Sequence, residues 1–122
     1  MTHKLTIPGR LPGLNEYITA ERTNKYQAAQ MKKRAEDTII TLAKENLRKP
    51  IKIPVIIHYR WYEKSRRRDK DNISGYGRKL VQDALVKAGK LPGDGWKHIC
   101  GFSDEFEVDK QNPRVEVEIV EV

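Results

Sequence analysis

Between Ile53 and Tyr62 the chain alternates. Ile53, Val55, Ile57, Tyr59 and Trp61 fall on one side of an extended segment, and Ile56, His58 and Arg60 on the other. Such a strand buries one face and commits the chain to a sheet with a wet side. Directly after it comes Arg66-Arg67-Arg68-Asp69-Lys70-Asp71-Asn72. So many charges cannot be desolvated together, so the chain must leave the core at this point and face water, an ion or a polyanion. The charged segment therefore sits at or just past a strand end, where a rigid element can hold a site to geometry.

The rest of the pattern builds around that strand. Lys4 to Ile7 is short and β-prone, and Pro8-Gly9 and Pro12-Gly13 break it into a loop that contains Asn15, Glu16 and Tyr17. From about Lys25 to Leu47 the apolar residues Ala28, Met31, Ala35, Ile39, Leu42 and Ala43 make one helical stripe, with Lys32, Lys33, Glu36, Asp37 and Lys44 on the other face. Pro50 stops this helix. A second helix, about Asn72 to Ala88, carries Ile73, Gly77, Leu80, Val81, Ala84 and Leu85 at helical spacing, with Gly89 as its C′ residue. Gly75 and Gly77 predict an irregular first turn, since each costs about 1 kcal/mol against alanine in a helix interior. Strands are expected at Lys97 to Phe102 and Arg114 to Val122; the alternation of the latter lapses at Val120-Glu121-Val122, which places its end outside the sheet. The order β-α-β-α-β-β predicts one domain over residues 1–122, an α+β fold of two layers, with a mixed sheet packed against two main helices.

The chain has 24 Lys and Arg against 17 Asp and Glu, a net charge of +7. Its acids crowd the end: residues 103–122 carry −5, leaving +12 on the first 102. A body that basic favours a polyanion, nucleic acid first and anionic membrane second. No apolar run approaches the roughly 18 residues a membrane span needs, and the start has no apolar signal core, so a cytoplasmic protein is expected. Cys100 is the one cysteine and stands in an apolar setting that predicts a packed residue. His3, His58 and His98 never fall at metal-ligand spacing.

On an extended chain Asp69 and Asp71 would point to the same side, with Lys70 away from them. Such a pair repels itself unless a cation sits between, and an all-oxygen site suits Mg²⁺, or Mn²⁺ as a substitute. The plainer reading has the aspartates neutralising the arginines, with Asp71 or Asn72 capping the next helix. Arg66, Arg67 and Arg68 are candidates for phosphate contacts, because the guanidinium fork matches two phosphate oxygens. A solvated rim is the alternative.

The run Arg67-Arg68-Asp69-Lys70-Asp71-Asn72, then Lys79 to Gly89 with Asp83-Ala84-Leu85 and Lys87-Ala88-Gly89, then Asp94 in Pro92-Gly93-Asp94-Gly95-Trp96, resembles the RusA family of Holliday-junction resolvases, often carried by phages and prophages. Leu5-Thr6-Ile7-Pro8 and Pro12-Gly13-Leu14-Asn15-Glu16-Tyr17 also look like that family's opening strand and Asn-Tyr loop. The resemblance implies a homodimeric, Mg²⁺-dependent endodeoxyribonuclease that nicks four-way junctions symmetrically. It implies Asp69, Asp71 and Asp94 as metal ligands, Lys79 as the catalytic residue that steadies the developing negative charge at phosphorus or orients the water, and Asn15 and Asn72 beside the arginines on DNA. Two departures stand out. The interval from Asn72 to Lys79 is about four residues longer than the family pattern, close to one helical turn, which leaves Lys79 or its neighbour Arg78 for the catalytic role. Gly93 also replaces an acidic neighbour of Asp94. The competing classes are a non-catalytic nucleic-acid-binding module and a metal-dependent nuclease with another DNA or RNA substrate.

Overall fold

The computed structural model describes residues 1–47 and 50–122. The alternating segment forms β2 (Val55–Glu63), with Val55, Ile57, Tyr59, Trp61 and Glu63 inward. The strand β4 (Arg114–Glu121) pairs antiparallel with β2, and β1 (Thr2–Pro8) pairs antiparallel with β4. On the other side of β2 the parallel strand β3 (Ile99–Val108) is the edge, giving the order β1-β4-β2-β3. One sheet face buries Leu5, Ile7, Ile57, Tyr59, Trp61, Val117 and Ile119. The opposite face is wet, with Lys4, His58, Arg60 and Glu105 exposed.

Two strand expectations change. β4 stays in the sheet through Glu121, because Val120 pairs with Ile56 of β2 and Thr2 of β1. The loss of alternation is thus an apolar pair on the wet face, not an exit. β3 runs to Val108, well past Phe102, through acids that disguise it as a tail. Each of two acids finds a partner there: Glu105 accepts from Arg60 Nε at 2.9 Å, and Asp104 accepts from Trp61 Nε1 at 2.8 Å. An edge strand tolerates such charges.

Three helices cover the buried face. α1 (Leu14–Thr23) occupies the stretch expected as a loop. It fully buries no residue, so it lacks the apolar stripe that would reveal it, and it is held partly by Tyr17 stacked on Tyr76 at 4.4 Å. α2 (Lys25–Asn46) matches the expected stripe, and Asn24 caps it by accepting from Tyr26 N at 2.8 Å. Its Glu36, expected on the solvated face, is buried and accepts two bonds from Lys87 Nζ, at 2.9 and 3.1 Å. α3 (Lys70–Lys87) begins two residues earlier than expected and ends on Gly89, whose φ of 75° is the left-handed geometry a C′ glycine supplies. These layers make a two-layer α+β fold with a mixed sheet. Among the described residues no helix is long and apolar enough to cross a membrane.

α3 is regular through both glycines, and the reasons differ. A Cβ on Gly77 would lie 2.6 Å from the Trp61 ring, whereas one on Gly75 would meet only Leu14 Cδ2 at 3.9 Å. Gly77 therefore lets α3 sit down on the indole. Gly75→Ala should raise stability by about 0.5–1 kcal/mol through helix propensity. For Gly77→Ala the same gain is outweighed by an overpacking cost of about 1–3 kcal/mol, so the variant should be less stable than wild type. Urea unfolding of the two variants side by side checks the opposite signs.

Candidate functional site

The site region is the turn from β2 into α3. Glu63 is the last residue of β2 and, by parity, points inward, where it is 6 % exposed. A carboxylate there needs a partner, and Arg68 folds back to provide it. Arg68 Nε donates to Glu63 Oε1 at 2.9 Å and Nη2 to Oε2 at 2.7 Å, a two-pronged pair. Its Nη1 also donates to the Leu11 carbonyl at 3.0 Å and to Glu16 Oε1 at 3.1 Å. Burial opposes the charge on Arg68, yet Glu63 and Glu16 outweigh it and raise the pKa. Arg68 is thus consumed by the fold, which corrects its assignment to phosphate. Arg66 and Arg67 are exposed, and among the described residues their side chains have no partner.

The two asparagines expected on DNA bind each other. Asn72 Oδ1 accepts from Asn15 N at 2.7 Å, holding the start of α1 against α3. Gly13 makes the approach possible, since a Cβ there would come within 2.8 Å of Asn72 Oδ1 and 3.0 Å of Arg68 Nη1. The Asn72 carbonyl oxygen is therefore a positioning group.

Asp69 and Asp71 flank an open groove of about 850 Å³, shared with Arg66, Lys70, Phe106 and Glu107. Because α3 starts at Lys70, Asp69 is extended at the N-cap and Asp71 already lies in the first turn. They do not form the extended i, i+2 pair that the spacing suggests. The Asp69 carboxylate makes no capping bond. Asp71 sits where the helix dipole favours a negative charge. Among the described residues neither aspartate has an ion-pair or hydrogen-bond partner, and the same holds for Glu107.

Asp94 and Lys79 lie elsewhere. Lys79 Nζ is 3.1 Å from Asp83 Oδ1 and 3.6 Å from Asp94 Oδ2, and its pKa is raised, first by the bond to Asp83. Eight residues of helix, about 12 Å, separate Lys79 from Asp71. The structure thus brings together Asp69 and Asp71 at one place and Lys79 and Asp94 at another. Among the described residues no three His, Cys, Asp or Glu side chains converge to hold a metal ion. A three-carboxylate site does not fit this geometry. Of the three expected ligands Asp69 and Asp71 alone share the groove, and Mg²⁺ is commonly held by one or two carboxylates plus water and phosphate oxygens. Arg78, the alternative to Lys79, is ion-paired with Asp104. Cys100, expected to be packed, is exposed on the edge strand.

Comparison with protein-family models and with curated protein sequences finds no match to this chain.

Sequence reasoning missed Glu63, Phe106 and Glu107. Extending the parity of β2 by one step to residue 63 would have exposed an inward carboxylate in need of a cation; nothing comparable points to Phe106 or Glu107, which depend on the parallel register of β3 against β2. Arg68→Ala should cost about 2–4 kcal/mol, because it removes both hydrogen bonds from the buried Glu63 carboxylate and leaves it only the longer contact to Arg10 Nη1 at 3.7 Å. Arg66→Ala should leave stability within about 0.5 kcal/mol of wild type. Chemical denaturation of the two variants checks the contrast.

Proposed function

We propose that this chain is a metal-dependent endodeoxyribonuclease acting on branched DNA, with the four-way junction as its first substrate, as the RusA resemblance implies. The observation that carries this reading is the groove beside the start of α3, where among the described residues Asp69 and Asp71 remain unpaired although Arg66 and Lys70 border the same space. In a protein of net charge +7, carboxylates left unpaired together are best explained by a cation that arrives with the substrate.

In this reading Asp69 and Asp71 hold Mg²⁺, with waters and phosphate oxygens completing its shell. The ion, when bound, lowers the pKa of a water and polarises the scissile phosphate. The residues of the chain do the remainder. Arg66, Arg67 and Lys70 bind backbone phosphates beside the groove. Lys79, kept charged by Asp83 and Asp94, contacts a phosphate along α3 rather than the reacting one, and Asp94 positions it. The wet sheet face, which carries Glu105, Glu116 and Glu118, faces away from DNA. A four-way junction has two equivalent strands to cut, so paired nicking calls for two copies related by a two-fold axis. The enzyme would work in the cytoplasm.

A non-catalytic binding module is the second reading, favoured by the place of Asp71 in the first turn of α3, where the helix dipole alone accounts for a carboxylate. Cleavage of a synthetic four-way junction in Mg²⁺ and in EDTA, beside linear duplex and single strand, separates the two. Asp71→Asn should abolish cleavage in Mg²⁺ and leave junction binding unchanged or tighter, since removing a negative charge beside phosphate does not weaken association. Unchanged turnover in that variant removes the metal from Asp71. Replacing Arg66 and Arg67 together by alanine should weaken junction and duplex binding alike and flatten the dependence of log affinity on log salt by up to about two phosphate contacts. Affinity titrations at several salt concentrations measure that slope.

A further inference from the structure

Two of the exposed rings, Phe102 and Trp96, lie on one side of the molecule with the partly buried Phe106; the third, Tyr26, is on α2. Phe102 and Phe106 lie four residues apart on β3, about 13 Å. Each carries a cation from α3 on its ring: Arg78 Cζ is 4.6 Å from the Phe102 centroid, and Lys70 Nζ is 5.7 Å from that of Phe106. Residues 70 and 78 are about 12 Å apart along the helix, so the two cation–ring pairs stand in step on adjacent elements. Phe106 and Lys70 belong to the groove that holds Asp69 and Asp71. Phe102 is 53 % exposed although it is on the helix side of the sheet.

Beyond Phe102, at the entrance to β3, stands Trp96, which is 99 % exposed. Its exposure is built in. The turn that carries it is tied by His98 N to Gly95 O at 3.0 Å, Ile99 N to Gly95 O at 3.1 Å, and Gly95 N to His98 Nδ1 at 3.0 Å. The His98 ring also fills the space beside Gly93, where a Cβ would come within 2.6 Å. A turn fixed this firmly holds its indole in water instead of folding it down. The Asp94 to Lys79 contact at 3.6 Å joins this turn to the flank of α3. β3 is the edge of the sheet, and among the described residues no further strand pairs with it on its outer side.

We infer that the seam between β3 and α3 is a track for one unpaired strand of DNA, running from the Asp69 and Asp71 groove past Phe106 and Phe102 to Trp96. Alternating cations and rings suit a single strand, whose phosphates meet Lys70 while its exposed bases stack on the rings and on the Arg78 guanidinium. A duplex keeps its bases stacked on each other and gains only the phosphate contacts. The only carboxylate of β3 on this side between Phe102 and Phe106 is Asp104, and it is neutralised by Arg78. The inference rests on the nuclease reading and narrows it: the substrate is cut beside a strand that has left the double helix.

Binding in EDTA to oligothymidylate, to blunt duplex and to a four-way junction tests this. Trp61 is 2 % exposed against 99 % for Trp96, so the solvent-exposed part of the tryptophan emission reports Trp96. Oligothymidylate should quench that emission and blunt duplex should not. Trp96→Ala and Phe102→Ala should each weaken oligothymidylate binding by at least about fivefold, leave duplex binding unchanged and leave the salt slope unaltered, because stacking releases no counterions. Thermal melts confirm that both variants fold. Unchanged affinity in both variants, or an equal loss on duplex and single strand, overturns the track. So does sedimentation showing that either variant breaks a wild-type dimer, which would make the seam a contact between copies. If the wild type binds no DNA of any form, the nuclease reading fails and takes the track with it; if wild type and variants bind and cut alike, only the track fails.

Discussion

The organisation of the site depends on the buried pair between Glu63 and Arg68. Glu63 ends β2 on the core side, where burying a lone carboxylate without a cation beside it would be costly. Satisfying it brings Arg68 back over the strand end, and the same guanidinium holds Leu11 and Glu16, so one side chain joins β2, the loop before α1, and α1 itself. The next residue is Asp69, and the helix starts one later. The pair thus determines where α3 begins and which carboxylates stand at the groove. Desolvating two charges is expensive, and such pairs are weak evidence for stability. Here the pair fixes the exit of the chain from the sheet.

A second consequence is the distribution of charge. The arginines around the sheet are matched: Arg60 by Glu105, Arg78 by Asp104, and Arg114 by Asp109 and Glu116. Arg68 is matched inside. What remains of the surplus near the strand end is Lys64, Arg66, Arg67 and Lys70. Part of the net charge of the chain is therefore expressed beside the groove, whereas around Arg60, Arg78 and Arg114 field lines from neighbouring opposite charges close on each other.

Much of the fold could be read from period alone, because β2, α2, α3 and β4 each bury one face against a core. α1 could not, since it fully buries nothing and its hold comes from a ring stack and an asparagine bond to distant residues. β3 was cut short because Asp104, Glu105 and Glu107 look like a tail until a neighbouring strand supplies their cations. The site was legible in kind more than in geometry. Asp69 and Asp71 do share a groove, but the spacing argument assumed an extended chain where a helix has begun. The distance from Asp71 to Asp94 is a tertiary quantity: it depends on how far α3 carries the chain before the turn at Gly89, and no local pattern encodes it.

The position of β3 at the rim of the sheet also bears on how the chain survives its own folding. Its parallel pairing with β2 closes only after the whole of α3 has been laid across the sheet, and such non-local pairings form slowly. Until then, and on one side ever after, β3 shows a row of free peptide groups ten residues long, a template on which a second molecule could add a strand. Glu107, which has no partner among the described residues, would bring like charges together in such a self-pairing, and pairing there would also crowd the Arg60–Glu105 and Arg78–Asp104 ion pairs. The acids that conceal this strand from a reader of the sequence also conceal it from other copies of the chain.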